Sequence, residues 1–155
     1  MDKITSFTVD HDLLDEGMYI SRIDGDITTF DLRTRKPNCG DYMDNITMHT
    51  VEHMFATYIR NSEIGGAVIY FGPMGCRTGF YLLTRSVSKE KVFEVTKDVL
   101  KKIIAHEGEV FGASRKECGN YKELDLSLAK IECERYLKVL LDKGENDFTY
   151  KGAAI

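Results

Sequence analysis

The chain has 155 residues and carries 21 Lys plus Arg against 25 Asp plus Glu, a net charge of −4. That balance argues against a nucleic-acid binder or a polybasic membrane-surface protein, both of which need clustered positive charge. At 43% hydrophobic and 30% charged residues the composition is that of a globular domain, and a chain of this length buries roughly 68–70% of its unfolded surface without disulfide staples.

No apolar run approaches the ~20 residues of a transmembrane helix, and Met1 to Ser6 lacks the apolar core of a signal peptide. A single cytoplasmic domain over 1–155 is expected, with four free thiols at Cys39, Cys76, Cys118 and Cys133.

Ser6 to Val9 alternates polar and apolar residues and predicts a short strand. Met18 to Ile23 and Ile27 to Leu32 predict two more, joined by a hairpin at Asp24-Gly25. Pro37 to Asp41 reads as loop. Asp44 or Asn45 caps a helix whose apolar stripe is Met48, Val51, Met54, Phe55, Tyr58 and Ile59, ending between Asn61 and Gly66. Ala67 to Phe71 predicts a strand, Gly72 to Cys76 an interruption, and Phe80 to Thr84 a further strand.

Ser86 or Ser88 caps a helix through Val92, Val95, Val99 and Ile103, with Gly108 as its stop. Val110 to Ala113 predicts a short strand, and Ser114 to Lys122 a polar loop. Asp125 caps a last helix through Leu128, Ile131, Leu137 and Leu140, closed by Gly144. The tail from Glu145 has no clear period. The order implies an α+β, two-layer domain: a mainly antiparallel sheet with helices packed on one face.

The strongest chemical signal is His49-Thr50-Val51-Glu52-His53. On a helix, positions i, i+3 and i+4 share one arc of about 100°. Two imidazoles one turn apart grip a single metal ion, and the glutamate between them sits beside an open coordination position, where a proton-moving carboxylate is useful. The plain alternative is a pair of solvated histidines.

Two protein ligands are too few for a catalytic site, and Cys118, next to Gly119 in the polar loop, is either the third ligand or a spare surface thiol. A His2Cys set suits a borderline ion such as Zn²⁺ or Fe²⁺. Cys76 lies among Gly72, Pro73, Gly75 and Gly79. It is either an acid/base thiol in a sharp bend or an incidental one. His106 at a helix end complements the helix dipole. His11 and Arg33 either bind an oxygen-rich ligand or are surface groups.

Taken in order, Ser6-Phe7-Thr8-Val9-Asp10-His11, Phe30-Asp31-Leu32-Arg33, His49-Thr50-Val51-Glu52-His53, Gly72-Pro73-Met74-Gly75-Cys76-Arg77-Thr78-Gly79 and Glu117-Cys118-Gly119-Asn120-Tyr121 resemble the S-ribosylhomocysteine lyase (LuxS) family over most of the chain. The resemblance implies a fold shared with inverted-zincin peptidases and a metal held by His49, His53 and Cys118. The ion would be Fe²⁺, one per subunit, with Zn²⁺ or Co²⁺ as substitutes. It implies Cys76 and Glu52 as the acid/base pair, and Ser6, His11 and Arg33 as contacts to the sugar of S-ribosylhomocysteine.

It further implies a homodimer with active sites at the interface. The implied reaction is aldose–ketose isomerisation followed by β-elimination, giving L-homocysteine and 4,5-dihydroxy-2,3-pentanedione, the autoinducer-2 precursor used in quorum sensing. Family members often carry an acidic residue a few positions before the Pro73-Met74-Gly75-Cys76 block, and Tyr70 stands near there instead.

Two rival readings remain at this level. An H-x-x-E-H metallopeptidase would use Glu52 to activate water and needs a further carboxylate ligand, for which Glu123 or Glu132 is available. A non-catalytic zinc-stabilised domain would use His49, His53 and Cys118 but would need neither Glu52 nor Cys76.

Overall fold

The computed structural model describes residues 1–144 and 148–152. Two hairpins make the sheet. β1 (Gly17–Asp24) pairs antiparallel with β2 (Ile27–Arg33), and β3 (Val68–Pro73) with β4 (Gly79–Arg85). β2 and β4 join them, giving a four-stranded antiparallel sheet in the order β1-β2-β4-β3. The first turn closes on Asp24 and Ile27, so Gly25-Asp26 are its central residues, one position on from the expectation. Gly25 supplies the positive φ of 63°.

β3 does not stop at Gly72. It runs on through Pro73, which pairs with Phe80. Proline is tolerated because β3 is an edge strand and its missing N–H leaves no ladder bond unmade.

Period 2 sorts the sheet into two faces. Phe30, Leu32, Phe71, Phe80 and Leu82 point to the helices and are buried. Three helices cover that face: α1 (Asn45–Arg60), α2 (Lys89–Ala105) and α3 (Leu126–Lys143). α1 presents Val51, Met54, Phe55 and Ile59 to the core, and Phe71 stacks between Phe55 and Phe80 at centroid distances of 4.3 and 5.0 Å.

The caps are those of the sequence reading. Asp44, Ser88 and Asp125 accept backbone N–H bonds from Thr47, from Lys91, and from Ser127 with Leu128. Gly144, at φ 66°, ends α3. α2 ends at Ala105 with His106 as C-cap, two residues ahead of the Gly108 stop.

Two expected strands are absent. Thr5–Phe7 forms a 3-10 turn instead, with Phe7 N–H and Thr8 N–H donating to the carbonyls of Ile4 and Thr5. Alternation over four residues is too short to specify a strand on its own. Val110 to Ala113 is a turn, because Gly112 sits at φ 68° and cannot continue an extended chain. The aperiodic tail falls partly outside the described residues. Within them Phe148 packs on Phe93 and Tyr150 donates a 2.8 Å hydrogen bond to Asp31. Among the described residues no helix is long and apolar enough to cross a membrane.

Candidate metal centre and thiol site

α1 buries Thr50 and Val51 and leaves His49, Glu52 and His53 half-exposed on one side. The segment after α2 folds back over that side. Its anchor is Thr50, whose Oγ1 accepts from the Asp125 N–H at 2.9 Å while donating to the Ile46 carbonyl at 2.7 Å. The start of α3 is thereby fixed against the histidine turn, and the loop before it brings Cys118 to them. One nitrogen of His49, one of His53 and the Cys118 sulfur all lie within 4.8 Å of one another.

Both imidazoles are oriented by the backbone. His49 Nδ1 lies 2.9 Å from the Glu123 carbonyl and His53 Nδ1 2.7 Å from the Phe111 carbonyl. A carbonyl only accepts, so each Nδ1 carries the proton and each Nε2 keeps its lone pair free. That is the tautomer a metal ligand needs, with the outer hydrogen bond fixing ring orientation. Gly112 lets the chain come this close, since a Cβ there would stand 3.2 Å from His53 Nδ1. Asn120 N–H donates to Cys118 Sγ at 3.3 Å. Two nitrogens and a sulfur with this outer shell fit a borderline divalent cation.

Glu117 braces the same loop. It accepts from the Ser114 hydroxyl and N–H. The Ser114 hydroxyl, followed by that N–H, holds the Glu117 carboxyl below the usual carboxylate range. Glu52 makes no side-chain hydrogen bond or ion pair among the described residues.

Cys76 is exposed at the β3–β4 turn. The turn is made by Arg77, at φ 61°, rather than by the neighbouring glycines. Gly79 serves close packing instead, since a Cβ there would stand 2.5 Å from the Leu32 carbonyl oxygen. Beneath Cys76 lies a buried polar row. Arg33 Nη1 donates to Thr78 Oγ1 at 2.7 Å and reaches Cys76 Sγ at 3.8 Å, and Thr78 Oγ1 is 3.0 Å from that sulfur. Arg33 is held by a two-bond fork to Asp31, at 3.1 and 2.6 Å. Burial works against the guanidinium charge, but the Asp31 carboxylate outweighs it and raises the Arg33 pKa.

Arg33 is therefore not a surface group. It is 3% exposed and brings a cation to a thiol. His11 Nδ1 donates to the Val9 carbonyl. Ser6 lines a cavity of about 340 Å³ on the second face of the sheet with Ser21, Thr29, Tyr70 and Tyr81. No hydrogen bond joins Ser6, His11 and Arg33 to one another among the described residues.

Neither carboxylate open to a metallopeptidase belongs to the His49/His53/Cys118 set. Glu123 faces His49 through its backbone carbonyl, and Glu132 is buried in an ion pair with Arg35. Asp31, Thr78, Phe111 and Gly112 were missed in the sequence reading. Asp31 was recoverable, because i and i+2 on one strand share a face with Arg33. The carbonyls of Phe111 and Glu123 carry no side-chain signal.

A family model described as S-Ribosylhomocysteinase (LuxS) matches residues 4–147. A protein of Borreliella afzelii named S-ribosylhomocysteine lyase is 42% identical over 156 positions, covering 97% of this chain and 99% of that one. One of the same name from Finegoldia magna is 43% identical over 155 positions, with the same coverage. One from Clostridium beijerinckii is 41% identical over 157.

Proposed function

The chain belongs to the S-ribosylhomocysteinase (LuxS) family and is a carbon–sulfur lyase acting on S-ribosylhomocysteine; from that premise we propose that Cys76 and Glu52 move its protons beside a metal held by His49, His53 and Cys118. The whole of 1–155 is read as one catalytic domain. The observation that carries the proposal is the Arg33–Thr78–Cys76 row, a buried cation and a hydroxyl aimed at an exposed thiol.

His49, His53 and Cys118 would hold a divalent ion, Fe²⁺ by our reading with Zn²⁺ or Co²⁺ as substitutes, which would supply Lewis acidity toward the sugar carbonyl. The chain's own residues do the rest. Cys76 as thiolate takes the proton from C2 of the open aldose, and its return at C1 gives the 2-ketone. A second enolisation carries the carbonyl to C3. Removal of the C4 proton then expels homocysteine thiolate from C5 and leaves a C4–C5 enol, which takes up a proton at C5 to become 4,5-dihydroxy-2,3-pentanedione. Glu52, without a side-chain partner among the described residues, is assigned proton carriage in part of this sequence. Ser6, His11 and Arg33 are assigned to the sugar hydroxyls, with Arg33 also sustaining Cys76.

A homodimer with active sites at its interface fits the exposed apolar side chains of Ile4, Phe7, Ile69 and Tyr70, which a second copy would cover. Four unpaired cysteines fit the reducing cytoplasm. The test is release of free thiol from S-ribosylhomocysteine by anaerobic, iron-loaded protein. Cys76→Ala is expected to abolish release while retaining the metal. Turnover by that variant would remove Cys76 from the mechanism, and loss of its metal would overturn the ligand assignment.

A further inference from the structure

His106 does more than cap α2. Its Nε2 lies 2.9 Å from the Glu109 carbonyl oxygen, and its Nδ1 lies 2.7 Å from the Tyr58 hydroxyl. Because a carbonyl only accepts, the ring proton is on Nε2. Nδ1 is then a lone pair, and the Tyr58 hydroxyl donates to it. Both rings stand edge-on to Phe111, at centroid distances of 5.1 Å for Tyr58 and 4.9 Å for His106. The Phe111 carbonyl is the acceptor that orients His53.

Residues 109–112 form neither helix nor strand, so they have no ladder to hold that carbonyl in place. What holds it is this bracket, which gives Phe111 a rigid seat and ties Glu109 to the end of α2. Tyr58 belongs to α1, the helix that carries His53. The brace therefore runs from the ligand helix through the end of α2 and back to the ligand.

We propose that Tyr58 and His106 are positioning residues for the metal centre, acting through the Phe111 carbonyl on the orientation of His53. Neither is part of the His49/His53/Cys118 donor set. The inference rests on the reading of that set as a metal site. Its physical content is that the imidazole's outer hydrogen bond governs how well its free nitrogen binds.

The test uses metal-free full-length protein titrated with Co²⁺ against a chromogenic chelator, with the visible ligand-field bands recorded alongside. Tyr58→Phe keeps the ring on Phe111 and removes only the hydroxyl. It is expected to weaken Co²⁺ binding about three- to tenfold, the worth of one hydrogen bond, and to shift the ligand-field bands. His106→Ala is expected to do more. The double variant should be no worse than His106→Ala, because both act through one path.

His106→Asn, which keeps an acceptor near the Nδ1 position, should recover part of the loss. Unchanged affinity and bands in Tyr58→Phe and His106→Ala would overturn the inference, as would fully additive losses. If His106→Ala does not fold, Tyr58→Phe decides alone. Wild-type protein that binds no Co²⁺ overturns the metal reading and this one together; wild-type binding with indifferent variants overturns this one only.

Discussion

Cys118 Sγ lies 3.3 Å from His49 Nε2, although 69 residues separate them in the chain. Nothing local enforces that approach. It is made by the Asp125–Thr50 bond, which seats the start of α3 on the histidine turn, and by the Ser114–Glu117 bonds, which close the loop ahead of Cys118. The centre is thus assembled by tertiary structure around one helical turn.

A metal that binds the folded chain and not the unfolded one stabilises it by mass action. At a free ion concentration 100 times its Kd the gain is about 2.7 kcal/mol. Metal-free protein is expected to shift its thermal midpoint upward on addition of Zn²⁺ under reducing conditions. Cys118→Ala is expected to lose that response. A shift of wild-type size in the variant would show that Cys118 is not a ligand.

Gly112 is the weak point of the outer shell. Its φ of 68° costs an L-residue roughly 1–2 kcal/mol. An added Cβ would also press His53 Nδ1 from 3.2 Å. Gly112→Ala is expected to lower metal affinity by about tenfold while the helices and sheet persist by circular dichroism. Undiminished affinity, measured by chelator competition, would mean that the loop relaxes away from His53.

What was legible in the sequence follows from what has a period. The stripe of α1, its Asp44 cap and the His49/Glu52/His53 arc all express 3.6 residues per turn, and each is where the pattern put it. The 3-10 turn at Thr5–Phe7 and the turn at Gly112 were misread as strands, because alternation over four residues does not say whether a neighbouring strand is there to pair. Spacing leaves Cys118 open between ligand and spare thiol, and the family resemblance is what points to the ligand. The carbonyls of Phe111 and Glu123 were illegible for a deeper reason: any residue supplies a carbonyl, and only the tertiary path decides which one faces an imidazole.

Thr78 has one hydroxyl hydrogen. Its oxygen already accepts from Arg33, and Cys76 Sγ at 3.0 Å is the partner that this hydrogen serves when the thiol is ionised. Thr78→Val removes that bond and leaves Arg33 short of an acceptor. Hydrogen bonds to charged groups contribute about 1.5–3 kcal/mol, so alkylation of Cys76 by iodoacetamide at neutral pH is expected to slow by roughly tenfold or more. The modified peptide is followed by mass, to separate it from Cys39. Thr78→Ser should restore the rate. Equal rates in Val and Ser variants would leave Arg33 alone as the support of the thiolate.

Glu132 is the buried charge of the α3 face, 2% exposed, and it accepts from Arg35 Nε at 3.0 Å and Nη2 at 2.6 Å. Removing one partner of such a pair strands the other. Glu132→Ala is expected to cost about 3 kcal/mol, the low end for a buried pair, because Arg35 remains 16% exposed and turns toward Asp41. Urea denaturation measures it. A loss under ~1 kcal/mol, the level of an exposed pair, would show that water reaches Arg35 freely.

Tyr150 ties the tail to the row under Cys76 through its 2.8 Å bond to Asp31. Burial raises its phenol pKa well above the ordinary 10.0, and the Asp31 carboxylate raises it further. Tyr19, stacked on it at 5.1 Å, is pushed up to about 12, first by burial and then by Asp15. A group whose pKa is raised on folding holds its proton more tightly in the folded state. Its contribution is therefore complete below the unfolded pKa of 10.0 and is lost as pH rises above it. Unfolding free energy is expected to be flat from pH 8 to 10 on this account and to fall beyond. Tyr150→Phe cannot ionise, so its stability should decline less steeply above pH 10 than that of the wild type. Parallel declines in denaturant titrations of the two proteins would show that Tyr150 titrates alike folded and unfolded, and that the tail does not seal the Asp31–Arg33 pair from solvent.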